Sequence, residues 1–181
     1  MLRLAGPAAE TTFRLNKLTK QLRSCTEVIS AVSVSFLHFV HEETLLTACE
    51  RKVLEALLTY GKEAEPFQGD HEVIVVPRVG TISPWASKAT DIARNCGLPI
   101  SRVERARAYA LKLNRPLTGD ELNSVLPYMH DRMTETVLAE LPSESVLFAE
   151  QSPRAMNQID LLGEGQVSLD NANQQLGLAL S

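Results

Sequence analysis

Apolar and polar positions alternate from Ala31 to Val40, with Val32, Val34 and Phe36 set against Ser33 and Ser35. This two-residue period predicts a half-buried strand. A longer strand is expected from Ile100 to Leu113, where Val103, Tyr109, Leu111 and Leu113 share one face with Arg105 and Arg107. Val73 to Val76 is apolar throughout and reads as a buried strand, and Leu2 to Leu4 as a short one. Helical spacing appears elsewhere. Leu15, Leu18 and Leu22 share a face between Phe13 and Leu22, and Leu46, Cys49, Val53 and Leu57 do so between Glu43 and Tyr60. Trp85, Ala89, Ile92 and Cys96 form a third stripe. A fourth, Leu122, Val125, Met129, Met133 and Val137, runs on to Leu141, with Pro127 inside it predicting a kink or break. Val167 to Leu176 completes the set of helices.

The chain is organised around Pro77 to Ala93. The apolar strand arrives, Gly80 lets the chain turn, and Ser83-Pro84 is a helix start with Ser as N-cap and Pro at the first helical position. Gly97 is the expected C-cap of that helix and Gly61 the stop of the one before it. Small hydroxyl and charged residues lie beside the free backbone N–H groups of the helix start, an arrangement that suits an anion. Thr118-Gly119-Asp120-Glu121 is a capping-box pattern that opens another helix. Pro142 to Pro153 reads as a linker, and Met156 to Ser181 is too short to bury a core of its own. By pattern alone, strands alternating with helices predict a parallel α/β sheet.

Composition adds bounds rather than chemistry. The chain is 44% hydrophobic and 22% charged, an ordinary globular balance. Its net charge of −4 argues against a nucleic-acid binder. No apolar run approaches the ~20 residues of a membrane helix, and Met1 to Pro7 lacks the apolar core of a secretion signal. Cys25, Cys49 and Cys96 are odd in number and widely spaced, which fits a reducing cytoplasm better than a disulfide framework or a zinc site. No phosphate-binding loop, dinucleotide fingerprint, metalloprotease motif or paired-cysteine motif is present. Ser83, Ser87 and the histidines show no triad-like grouping. Arg14, Lys17, Lys20 and Arg23 read as a solvated helix face rather than a phosphate patch. His38 and His41 fall on opposite faces of a strand, so no shared metal is expected. Adjacent His130 and Asp131 on a helix would not face each other, which leaves them to surface or interdomain contacts. Arg105 and Arg107 stand on a core-facing side and need partners, either a phosphate or carboxylate ligand or a neighbouring acid. The sequence leaves both open.

Four motifs in order carry a resemblance. Thr81-Ile82-Ser83-Pro84-Trp85-Ala86-Ser87-Lys88-Ala89-Thr90-Asp91-Ile92-Ala93 resembles the N-terminal region of the large, single-chain phosphoribosylformylglycinamidine synthases of purine biosynthesis. Relatives commonly read S-P-W-S-S-K-A-T-D-I, so Ala86 replaces a serine. The likeness continues through Val103-Glu104-Arg105, where Ala106 stands for a common glycine, and His130-Asp131-Arg132-Met133-Thr134-Glu135, and ends at Asp160-Leu161-Leu162-Gly163. It covers nearly the whole chain.

The resemblance implies an α+β fold, a layer of helices on a largely antiparallel four-stranded sheet like the separate small subunit of other versions of the enzyme, itself a ferredoxin-like relative. It implies a small-subunit-like domain over 1–141, a linker loop over 142–155 and the start of a helical linker domain over 156–181. The full enzyme would use ATP, Mg²⁺ and glutamine to convert formylglycinamide ribonucleotide to the amidine. It would act as a cytoplasmic, monomeric ligase whose synthetase and glutaminase domains lie beyond this fragment. No cofactor or metal is expected on the fragment itself, and no catalytic residue. Its part would be to pack on the synthetase domain and help form the substrate cleft and ammonia route. Arg78, Thr81, Ser83, Ser87, Lys88, Thr90, Asp91 and Arg105 are the residues expected to face the substrate or the neighbouring domain. The alternative is a free-standing, non-catalytic interaction subunit.

Overall fold

The computed structural model describes residues 1–138, 140–149 and 155–180. Five strands pair in the order β1-β2-β4-β3-β5, where β1 is Leu2–Ala8, β2 Ile29–Glu42, β3 His71–Pro77, β4 Ile100–Leu113 and β5 Glu135–Leu138. Every pairing is antiparallel, so the parallel sheet that the element order predicts is not formed. The sheet has one strand more than the four expected, because β5 pairs with β3 through Ile74–Leu138, Val75–Val137 and Val76–Thr136.

That fifth strand corrects the helix expected to run to Leu141. Helix α4 covers only Gly119–Val125, a single 3₁₀ turn follows at Leu126–Tyr128, and the chain then turns into β5. Pro127 has no amide proton to continue the helical ladder, which accounts for the end. Met133, counted as core in that stripe, is 78% exposed.

The helices before α4 are α1 (Thr12–Cys25), α2 (Ala48–Leu58) and α3 (Pro84–Asn95). Their starts follow local chemistry. Thr47 and Glu50 form a reciprocal capping box on α2, as Thr118 and Glu121 do on α4. Two buried faces sit one step around from the expected stripes. On α2, Leu54 and Leu58 are buried while Cys49 and Val53 are exposed. On α3, Ala86, Thr90 and Ala93 are buried, Trp85 and Ala89 half-buried, and Ile92 exposed.

Alternation assigns the two faces of the sheet. Even-numbered residues of β2 and odd-numbered residues of β3 and β4 carry the helix-packed face. One apolar cluster there joins Val32, Val34, Val73, Tyr109 and Leu111 to Leu22 and Val125. The other joins Val40 and Val103 to Leu54, Leu58 and Ala93. Between them the same face presents Phe36 and His38 on β2, paired in register with Arg107 and Arg105 on β4. The core is therefore interrupted at mid-sheet by a polar and aromatic band.

The opposite face holds Phe39, Ile74, Val76 and Ala106. Within the stretch expected as a linker, Glu144–Leu147 form a short helix, α5, and Leu147 and Phe148 are buried in this third cluster. The remainder of that stretch, 150–154, lies outside the described residues. Beyond it is a separate unit. There Asp160 caps a four-residue helix, α6 (Leu161–Glu164), and α7 (Gln166–Leu176) follows. Ser168 donates to the carbonyls of Asp160 and Gly165 and ties the two together. No helix among the described residues is long and apolar enough to cross a membrane.

Candidate functional site

At the centre of the interrupted face stands Arg105. Its Cζ lies over the Phe36 ring at 4.0 Å and over the Trp85 ring at 4.6 Å, so aromatic surface covers the guanidinium. β2 supplies Phe36, and α3, packed along β4, supplies Trp85. Nη1 donates to Tyr60 Oη at 3.3 Å. No carboxylate pairs with Arg105 among the described residues.

Behind Tyr60 lies His38, fully buried, with Nε2 2.8 Å from Tyr60 Oη. Because Oη accepts from Arg105, its own proton is free to go to Nε2. His38 Nδ1 is then a buried group with no partner among the described residues. The ring stacks on Trp85 at 5.5 Å and meets Tyr60 edge-on. Burial, assisted by the Arg105 charge, lowers the His38 pKa to about 4, so the ring is neutral at physiological pH. Gly6 permits this packing, since a Cβ there would come within 2.6 Å of His38 Cε1 and 3.0 Å of the Phe36 carbonyl oxygen.

The neighbouring arginine resolves differently. Arg107 Nη2 donates to both oxygens of Glu135, at 2.7 and 2.6 Å, and to the Met129 carbonyl at 3.3 Å. The His130–Glu135 motif is the turn that makes this possible. Asp131 N–H donates to Glu135 at 2.8 Å, Met133 N–H to Asp131 at 2.8 Å, and His130 Nδ1 lies 2.7 Å from the Leu126 carbonyl oxygen. Of the two partners left open for these arginines, a neighbouring acid serves Arg107, and Arg105 has none among the described residues.

In the central motif, Ser83 caps α3 by accepting from Ala86 N–H at 3.0 Å and donates its own proton to Glu104 at 2.8 Å. Glu104 is 1% exposed, and Arg102 completes its coordination at 2.9 Å. Thr90 is buried and accepts the Val103 N–H at 2.9 Å, the bond that docks α3 beside β4. Thr81 bonds back to the Arg78 carbonyl at 2.6 Å and closes the turn in which Gly80 takes φ +83°. Arg78, Ser87, Lys88 and Asp91 are exposed. Neither the Lys88–Asp91 nor the Asp91–Arg94 surface pair is formed; Arg94 instead donates to the carbonyls of Ile100 and Ser101.

These residues do not gather in one hollow. Ser83 and Arg105 border a cleft of about 360 Å³ with Glu10, Trp85, Arg107 and Glu135. Ser87, Thr90 and Asp91 border a second of about 470 Å³ with His41, Arg102 and Phe148. Lys88 edges an apolar groove of about 220 Å³ between α2 and α3. His38 and His41 lie on opposite faces as expected. His41 pairs with Glu144 at 3.0 Å and stacks on Phe148. Phe36, His38, Tyr60 and Glu104, which pack around Arg105 and the central motif, are not among the site residues expected from sequence. A Phe-His pair at strand spacing opposite two arginines is the one signal that was there to find.

A family of known proteins covers this same region. The family described as formylglycinamide ribonucleotide amidotransferase N-terminal matches residues 35–148, from within β2 to just past α5, more than half of the chain. The match includes the central motif, Arg105 and Glu135. By these residues the chain belongs to the formylglycinamide ribonucleotide amidotransferase N-terminal family, and its role lies within the phosphoribosylformylglycinamidine synthase of purine biosynthesis.

Proposed function

We propose that the outer side of the Pro77–Ile92 segment is the face through which this domain packs on the synthetase domain of the enzyme and borders formylglycinamide ribonucleotide. One observation carries the reading. The segment is anchored from beneath by Ser83–Glu104, Thr90–Val103 N–H and Arg102–Thr81 carbonyl contacts, while Arg78, Ile82, Ser87, Lys88, Asp91 and Ile92 stay exposed above it. A rigid support under a mixed charged and apolar surface is what an interdomain contact needs.

On this reading the domain performs no bond-making step. ATP, Mg²⁺ and the phosphorylation of the substrate amide belong to the synthetase domain, and ammonia is released from glutamine in a further domain. The present domain holds the synthetase cleft closed and walls part of the ammonia route. On the same reading, Arg78, Lys88 and Asp91 are the exposed charged groups that would meet the ribonucleotide or its pocket.

Lys88→Ala and Asp91→Ala in the full-length enzyme test this. Each is expected to lower kcat/KM for the ribonucleotide by about 10-fold or more while glutamine hydrolysis alone is unchanged. Unaltered kcat/KM in both variants overturns the reading.

A further inference from the structure

The charges around the Arg105 cleft do not balance. Three guanidinium groups, Arg14, Arg105 and Arg107, border it with two carboxylates, Glu10 and Glu135. The carboxylates are already engaged. Glu135 is held by Arg107, and Glu10 lies 3.5 Å from Arg14 and 4.0 Å from Arg107. Glu104 reaches only the backbone N–H of Arg105, at 3.0 Å, and spends its other oxygen on Arg102. Among the described residues, Arg105 is the cation left over.

We propose that this cleft is an oxyanion-binding site in which a carboxylate or a phosphate monoester meets the edge of Arg105. The geometry restricts the approach. Phe36 and Trp85 cover the guanidinium, and one N–H is given to Tyr60. What remains is a planar edge with fixed donors, the part of arginine that matches two acceptor oxygens at once. Stacking holds that edge in place before a ligand arrives, so little side-chain freedom is lost on binding.

The surroundings favour the same sign of ligand. Ser83, Pro84 and Trp85 line the cleft at the N-terminus of the 12-residue helix α3, whose backbone presents partial positive charge there. The cleft, about 360 Å³, is large enough for a small anionic group. The site does not depend on whether α3 faces a neighbouring domain.

Trp85 is the single tryptophan of the chain and lies against Arg105, so its fluorescence reports on the cleft. The chain is titrated with inorganic phosphate and with acetate, chloride holding the ionic strength constant. A saturable change with a midpoint of about 1–10 mM is expected for at least one of them. Arg105→Gln abolishes it, and Lys52→Gln, on the exposed side of α2 and outside the cleft, leaves it intact. A response to phosphate alone assigns the site to a phosphorylated ligand, and a response to acetate assigns it to a carboxylate. Because Arg105 also packs the aromatic rings, the unmodified chain provides a second readout. Its Arg105 Nε–Hε resonance is expected to shift with the same midpoint while that of Arg107 stays fixed. A response that is not saturable, one that survives in Arg105→Gln, or an unmoved Arg105 resonance overturns the proposal.

Discussion

Ser83 gives its hydroxyl proton to Glu104 across 2.8 Å while the same oxygen accepts the Ala86 N–H, so one side chain both starts α3 and satisfies a buried carboxylate. The two roles separate by substitution. Asp caps a helix as well as Ser does, but at position 83 it sets a second carboxylate against Glu104. Ser83→Ala is expected to cost about 1–3 kcal/mol. Ser83→Asp is expected to cost more than Ser83→Ala, measured by urea denaturation at neutral pH. Equal stability of Ser83→Asp and the unmodified protein would show that capping alone matters.

Arg107 and Glu135 tie β4 to the start of β5 from a half-buried position. Glu135→Ala removes that tie and also the acceptor for Asp131 N–H, so it is expected to lower stability by about 1–3 kcal/mol. A double-mutant cycle with Arg107→Met is expected to show coupling. Strict additivity of the two losses would remove the ion pair from the account of β5.

His38 makes stability depend on pH in a defined window. Its folded pKa of about 4 lies below the ordinary value of 6.5. Between these values the unfolded chain takes up a proton that the folded chain refuses. The stability associated with neutral His38 is therefore complete above pH 6.5 and is lost as pH falls toward 4, by roughly 2–3 kcal/mol. In His38→Gln the slope of unfolding free energy against pH is expected to flatten over this range. An unchanged slope would mean that His38 is protonated in the fold.

Thr90 offers a narrower test of how α3 is held. Thr90→Val keeps shape and removes the acceptor for the buried Val103 N–H, and is expected to cost about 1–3 kcal/mol. Thr90→Ser, which keeps the hydroxyl, is expected to recover most of it. If Val and Ser variants melt together, packing rather than the hydrogen bond docks the helix.

Much of this arrangement is legible in the sequence. β4 has the limits its alternation predicts, and Ser83-Pro84 and Thr118-Glu121 start helices where their side chains can cap them. The face of β4 that joins Arg105 and Arg107 to Val103 and Tyr109 also follows from period two. What misled was coincidence of spacing. Met129, Met133 and Val137 repeat every four residues, yet the first lies in a core, the second in an exposed turn and the third on an edge strand. On α3, Ile92 and Cys96 extend the Trp85 stripe into solvent, while small Ala86, Thr90 and Ala93 take the tight approach to β4. Hydrophobicity cannot report that preference for small size. The Arg105 cluster was hidden for another reason: Phe36, Tyr60, Trp85 and Arg105 come from four separate segments, and only the sheet order brings them together.

That order also governs how the chain can fold. The two longest strands, β2 and β4, lie side by side at the centre, yet their register runs from Ile29–Leu113 to Glu42–Ile100, with β3, α2 and α3 between them in sequence. No short hairpin can seed this pairing. A long loop must close first, and its entropy is lost before the central contacts form. Folding on a timescale of about milliseconds to seconds follows. During that interval the apolar strand Val73–Val76 lacks both of its neighbours, and a nascent chain carrying it is at greatest risk of pairing with another copy of itself.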